Sequence, residues 1–142
     1  VSRYNASPEQ LEHFRETLTH HLANYPGLLF ALFYGSAAEG NTFQDLDVGI
    51  FVERKIVPAS RDIEYAALIA EEVQRYLPVP VEVQVINEAP LLFRYNVSRG
   101  TALVVNDREA FVTFLERTWR DALDFQPVAM HYLRELLSTT TR

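Results

Sequence analysis

A mixed α/β fold of the α+β kind, with helices layered on a sheet, is what this sequence predicts, and three observations predict it. Short apolar runs recur at Leu28 to Tyr34, around Asp45 to Val52 and at Val81 to Ile86, with the length and alternation of strands. Between them lie stretches whose apolar residues fall three and four apart, the stripe of a helix packed on one face. Proline, glycine and capping residues punctuate the junctions. With 142 residues, 48% of them apolar, the chain suffices for one domain over 1–142, with its core in 28–105 and closing helices over 107–138.

The first helix is announced by Ser7-Pro8-Glu9-Gln10: a capping serine, proline at the first helical position and Gln at N3 for a capping box. Leu11, Phe14, Leu18 and Leu22 form its apolar stripe, and Tyr25-Pro26-Gly27 ends it. His13, His20 and His21 lack the spacing of a metal site and read as surface or half-buried side chains. After the second strand, Glu53 to Pro58 is a polar loop. Ser60 or Asp62 then caps a helix to about Leu77, with Ile63, Ala67, Ala70, Val73 and Leu77 inward and Glu71-Glu72 on a solvated face.

Pro78-Val79-Pro80 leads into the strand Val81 to Ile86, where Val81, Val83 and Val85 face a core and Glu82 and Gln84 face away. Asn87-Glu88-Ala89-Pro90 turns into a short helix stopped at Gly100, and Thr101 to Val105 is the last strand. Asp107 caps a helix to about Leu123 with Phe111, Phe114, Leu115, Thr118 and Ala122 inward. Pro127 is expected to break or kink it before a final amphipathic segment, Val128 to Leu137. Trp119, Phe125 and Tyr132 are assigned to the core, and the tail Ser138 to Arg142 to fraying. The order is therefore α-β-β-α-β-α-β-α-α.

The chemistry concentrates between Leu28 and Val52. A buried strand ends in a tight Gly35-Ser36 turn, and the next strand carries Asp45 and Asp47 on one face with Leu46, Val48 and Ile50 on the other. Like charges about 6–7 Å apart along a strand repel each other. A divalent cation removes the objection: Mg²⁺ takes carboxylate oxygens together with substrate phosphates. The turn has a matching use, since Gly35 lets backbone N–H groups approach an anion and Ser36 adds a hydroxyl donor at the start of a short helix. A lone D-x-D or a lone Gly-Ser is a weak signal; strand, Gly-Ser and D-x-D in succession are more specific. Glu82, an acid inside a short apolar strand, is either at a wet surface or held by a cation.

With Phe33-Tyr34-Gly35-Ser36 followed by Asp45-Leu46-Asp47-Val48, the sequence resembles the nucleotidyltransferase superfamily, the DNA polymerase β-like group. Its length is similar to that of the minimal nucleotidyltransferases (MNT), antitoxins to HEPN-domain toxins. The resemblance runs from Leu28 to about Val105 and, more loosely, through Ala122-Leu123-Asp124-Phe125-Gln126-Pro127. It departs in three places. Eight residues separate Ser36 from Asp45 where the pattern has about two more; Glu39 stands where a basic residue is common; and Glu82 stands where Asp is commoner.

The resemblance implies a nucleotidyltransferase fold, a mixed sheet with flanking helices, in which Asp45, Asp47 and Glu82 are the catalytic and Mg²⁺-binding acids and Gly35 and Ser36 bind the phosphates of ATP. It implies transfer of AMP to a hydroxyl, foremost a tyrosine of a cognate HEPN ribonuclease. Arg94 and Arg99 are weaker candidates to reach a phosphate. The alternatives are an antitoxin with a degenerate site that acts by occlusion, and a small-molecule enzyme akin to the aminoglycoside nucleotidyltransferases.

Composition narrows the partners. The net charge is −6, and the thirteen cations, Lys55 and twelve arginines, form no basic stripe, which argues against a long nucleic acid. No apolar run is long enough to span a bilayer, Val1 opens no signal-peptide pattern, and the absence of cysteine agrees with a cytoplasmic protein, oligomeric or not.

Overall fold

The computed structural model describes residues 2–140. Among these, helix α1 (Pro8–Leu22), strands β1 (Leu28–Tyr34) and β2 (Leu46–Val52), helix α2 (Asp62–Gln74), strand β3 (Val81–Val85), helix α3 (Leu91–Ser98), strand β4 (Thr101–Val105) and helix α4 (Arg108–Thr140) follow in that order, with a 3₁₀ turn at Ala59–Arg61. The sheet order is β3-β2-β1-β4. β1 runs antiparallel to both β2 and β4, whereas β2 and β3 are parallel. A parallel pair needs a crossover, and α2 supplies it.

β1 and β2 are the inner strands, and β1 is apolar along its length because both of its faces are covered. On one face Ala31, Phe33, Leu46, Val48, Ile50 and Val52 pack against Phe14, Leu18 and Leu22 of α1 and Ala66, Ile69 and Val73 of α2. On the other, Phe30, Leu32 and Tyr34 meet Ile86, Val97 of α3 and Phe114 of α4. Burial of each large aliphatic side chain contributes about 2 kcal/mol.

The cap assignments at Ser7 and Asp107 hold. Ser7 Oγ accepts from Gln10 N at 3.1 Å while Gln10 Oε1 accepts from Ser7 N at 2.7 Å, and Asp107 Oδ1 accepts from Ala110 N at 3.0 Å. At α2 neither Ser60 nor Asp62 caps: Arg61 is the N-cap residue without a side-chain bond, and the Asp62 carboxylate instead takes two hydrogen bonds from Arg54, at 2.7 and 3.1 Å. The inward stripe of α2 is Ala66, Ile69, Val73 and, just past its end, Leu77, while Ile63 is 86% exposed and Ala67 is exposed too. Glu72 is no solvated acid; it accepts a hydrogen bond from the Tyr25 hydroxyl at 3.0 Å, and burial first, then this bond, pushes that phenol up to about 12.

Pro127 does not break the last helix: α4 passes through it. The tail, expected to fray from Ser138, is helical to Thr140, and positions 141 and 142 lie outside the described residues. Tyr132 is 62% exposed and Trp119 and Phe125 are nearly half exposed, so the core assignment of these three fails. Trp119 and Phe125 line a groove between α3 and α4 rather than the core, and Trp119 Nε1 donates to Ser98 Oγ at 3.1 Å.

Candidate active site

Strand register builds the site. Tyr34 of β1 pairs with Asp47 of β2, and Asp47 pairs with Glu82 of β3, so one row across three strands carries a phenol and two carboxylates. Asp45 lies one residue before β2 rather than in it. The ladder with β3 starts at Leu46, whose N–H donates to Pro80 O at 2.9 Å, leaving Asp45 in the bend that approaches the strand. Asp45 nevertheless joins the row: one oxygen from each of Asp45, Asp47 and Glu82 lies within 4.8 Å of the others. The sequence-predicted acids therefore converge.

Gly35 reaches the same place from the end of β1. Its φ of +86° lies in the left-handed region, which glycine adopts without penalty, and a Cβ there would collide with Asp47 Oδ2. The chain then coils: Glu39, Gly40 and Asn41 donate to the carbonyls of Gly35, Ala37 and Ser36 at 3.1, 3.0 and 2.9 Å. This is a string of turns rather than the expected short helix, but its carbonyls point forward as in a helix, so the N–H groups at its start point back. Ser36 is exposed on this coil.

The electrostatics are those of carboxylates held close together. Burial, a hydrogen bond with Asp45, and the charges of Asp45 and then Glu82 raise Asp47 to about 7. Burial first, and then Asp47, Glu82 and Asp45, hold the Tyr34 phenol above the usual tyrosine range. Glu82 is exposed and oriented by Gln84, whose Nε2 donates to Glu82 Oε1 at 2.7 Å. The donors are all hard oxygens, which suits Mg²⁺. One such ion holds oxygens up to about 4.2 Å apart, so small rotamer shifts bring these three into range.

Two glycines shape the surroundings. A Cβ on Gly49 would lie 2.9 Å from Val97 Cγ1 and 3.1 Å from Ile86 Cγ2, so this position seats α3 against the sheet beside Asp47. A Cβ on Gly100 would strike the Phe33 carbonyl oxygen, so the end of α3 presses on the end of β1. Of the two arginine candidates, Arg94 is occupied elsewhere: it donates to Ala89 O at 3.0 Å, Thr118 Oγ1 at 3.3 Å and Asp121 Oδ2 at 3.4 Å. Arg99 instead borders a hollow beside Gly35. Tyr34 went unread as a site residue, although it directly precedes Gly35 and so could share its end of the sheet. A separate apolar groove of about 680 Å³ runs between α3 and α4, lined in part by Leu92, Tyr95, Trp119, Leu123 and Phe125.

Carboxylates from neighbouring strands beside a glycine turn, on a four-stranded mixed sheet, are the layout of a phosphoryl-transfer enzyme. The sequence profile of the polymerase β nucleotidyltransferases matches residues 16–109, and the chain belongs to that family. No curated protein matches the chain in sequence. Its fold is similar to that of a MntA–HepT toxin–antitoxin crystal structure, at 14% identity, TM-score 0.63, covering 89% of this chain and 98% of that one. It is similar, with the same identity and coverage and a TM-score of 0.64, to a tri-AMPylated Shewanella oneidensis HEPN toxin in complex with MNT antitoxin. A toxin–antitoxin structure with AMP-PNP shows 16% identity and a TM-score of 0.63, again covering 89% of this chain and 98% of that one. Among the described residues no helix is long and apolar enough to cross a membrane.

Proposed function

We propose that the chain is an antitoxin that transfers AMP from ATP to a hydroxyl of a HEPN-type toxin, foremost a tyrosine, in the cytoplasm. The observation that carries this reading is the convergence of Asp45, Asp47 and Glu82 on one point next to Gly35. Asp45, Asp47 and Glu82 would hold Mg²⁺, which when bound offsets the negative charge of the phosphates and of the acids themselves. Gly35 and Ser36 would receive the β and γ phosphates through backbone N–H groups and the serine hydroxyl. Glu82, the acid most open to solvent, would accept the proton of the acceptor hydroxyl. That oxygen then forms its bond to the α-phosphorus, the bond from the α-phosphorus to the bridging oxygen breaks, and pyrophosphate departs.

A protein acceptor is favoured over a small one by the second half of α4. Leu123, Phe125, Val128, Met130, Tyr132 and Leu133 are all exposed there, an apolar surface suited to a macromolecule. The two toxin–antitoxin likenesses with a named HEPN or HepT partner support the same choice. The test is transfer of label from α-³²P-ATP to a purified HEPN partner. Asp45→Asn and Asp47→Asn should each abolish it; undiminished labelling by the double variant would overturn the assignment.

A second reading is favoured by Glu39, which borders the hollow beside Gly35 and adds negative charge where phosphate would sit. In that reading the chain silences its partner by occlusion alone. Calorimetric titration with ATP and Mg²⁺ separates the two, because an occluding protein binds no nucleotide in a metal-dependent way.

A further inference from the structure

β3 closes one side of the sheet, and its outer edge is open. Leu46 N–H donates to Pro80 O and Ile86 N–H to Ile50 O, both at 2.9 Å, so the even-numbered residues of this strand bond β2. The odd-numbered ones, Val81, Val83 and Val85, therefore direct their N–H and C=O groups away from the sheet. Gln74 Oε1 takes the Val81 N–H at 2.9 Å, and among the described residues no strand takes the others. Native proteins blunt such an edge with a bulge, proline or lysine. β4, the opposite edge, carries a register shift, whereas β3 runs in unbroken register and its one charge, Glu82, belongs to the acidic site.

The strand reads almost alike in both directions: Val-Glu-Val-Gln-Val. Laid antiparallel on a second copy about Val83, it sets Val83 against Val83, Val81 against Val85 and Glu82 against Gln84. The outward groups then match. Each Val83 N–H meets the partner's Val83 carbonyl, and each Val85 N–H meets the partner's Val81 carbonyl. Glu82 and Gln84 fall in the non-hydrogen-bonded pairs, whose side chains stand closest. Centring on residue 82 instead would set Glu82 against Glu82, and centring on 84 would set Glu82 against Ile86; both shorten the ladder.

α2 extends the match. A trough of about 450 Å³ lies between β3 and the α2 residues Ile63, Ala66, Ala67 and Ala70. Ile63 and Ala67 are exposed. The two-fold axis of an antiparallel pair stands perpendicular to the sheet, so the α2 helices of both copies lie on one side and meet in opposite directions. Ala67 and Ala70 let them approach closely, and Ile63 is covered.

We infer that the chain forms a symmetric dimer through β3, with one sheet continuous across the two-fold axis. The row Tyr34, Asp47, Glu82 then runs on into the partner's Gln84 and the partner's Gly49. A neutral amide, not another acid, stands beside each Glu82, and both acidic clusters open on the same face. This inference rests on the strand and its edge, and stands apart from the transfer reading.

The experiment is sedimentation equilibrium of the full chain from about 1 to 300 μM, with amide exchange at both ends of that range. A monomer–dimer equilibrium is expected, with the Val83 and Val85 amides slowed about ten-fold or more at the upper end. The Glu82 and Gln84 amides, already bonded to β2, should change less. Ala67→Glu brings two acids together between the α2 helices and should weaken association about ten-fold; Gln84→Glu, which faces Glu82, should weaken it about three-fold, and Gln84→Lys should tighten it by a similar factor. Circular dichroism checks that each variant is folded, and a gain with Gln84→Lys cannot come from unfolding. A monomer throughout the range would overturn the inference. So would a dimer in which Val83 and Val85 exchange as fast as in the monomer, since its contact would then lie elsewhere, as on the exposed apolar side chains of α4.

Discussion

A methyl group on Gly35 would occupy the space of Asp47 Oδ2, so the turn that ends β1 and the acid on β2 are fitted to each other atom against atom. Gly35→Ala must do two things. It strains a backbone at φ +86°, costing about 1 kcal/mol, and it displaces the Asp47 carboxylate. Nucleotidyl transfer should fall by at least about 100-fold while the stability loss in urea stays near 1–2 kcal/mol. Retention of wild-type transfer would mean that the Asp47 position is not needed for the chemistry.

Asp47 sets a pH dependence with a definite sign. Its carboxyl is raised from the ordinary 3.8 to about 7 in the fold. The folded state thus binds the proton more tightly than the unfolded one. In cation-free protein this contribution to stability is fully present below about pH 4 and is lost as the pH rises through about 7. Asp47→Asn should therefore stabilise the metal-free protein above pH 7, by about 1–2 kcal/mol after screening of a half-buried group, and flatten the stability profile from pH 4 to 7. Mg²⁺ should raise the melting temperature of the wild type at pH 7.5 but not that of the variant. Thermal melts across pH, with and without Mg²⁺, read both effects.

Much of this was legible because it is local. The Gly-Ser turn, the alternation of Asp45 and Asp47 with apolar neighbours, and the caps at Ser7 and Asp107 are each written within a few residues, where period and turn chemistry act directly. Glu82 was visible as an anomaly in an apolar strand, and the β2–β3 register brings it opposite Asp47. The failures have a common cause. Ile63 and Ala67 lie on a helical stripe of their own, but only tertiary packing decides which stripe faces the sheet, and Ala66 and Ile69 won. Arg94 and Arg99 look alike in sequence; Asp121 on α4 and Gly35 just after β1 tell them apart, and both are distant in the chain.

Gly49 and Gly100 should differ in what they tolerate. A Cβ at Gly49 meets the branch methyls of buried Val97 and Ile86, which must give by a few tenths of an ångström, whereas at Gly100 it meets the Phe33 carbonyl, which is backbone. Gly49→Ala should destabilise by about 1–2 kcal/mol and Gly100→Ala by about 3 kcal/mol or more. Equilibrium denaturation of the two variants side by side gives the order; a reversed order would contradict the close seating of α3 on β1.

Arg94 ties α3 to α4 through buried Thr118 and through Asp121. Arg94→Ala leaves the Ala89 carbonyl and Asp121 without this donor and should cost about 2 kcal/mol of stability. ATP affinity should stay within about two-fold of wild type, since the losses are structural and remote from Gly35. A large fall in affinity at unchanged stability would instead make Arg94 a nucleotide ligand.

Pro127 lies inside α4, and the helix continues on both sides of it. Proline has no N–H to offer the carbonyl of Leu123 and crowds that carbonyl, a cost of about 3 kcal/mol relative to alanine in a helix interior. Beyond it Val128, Met130, Tyr132 and Leu133 are exposed, so this half of α4 has little packing to couple it to the sheet. Pro127→Ala should therefore act locally. Amide exchange between 123 and 133 should slow by about ten-fold or more, and the 222 nm signal should deepen, while the melting temperature of the sheet moves by less than about 2 °C. A rise of about 10 °C would show that this segment unfolds together with the core, and the exposed apolar surface assigned to a partner would then have to be buried against the chain itself.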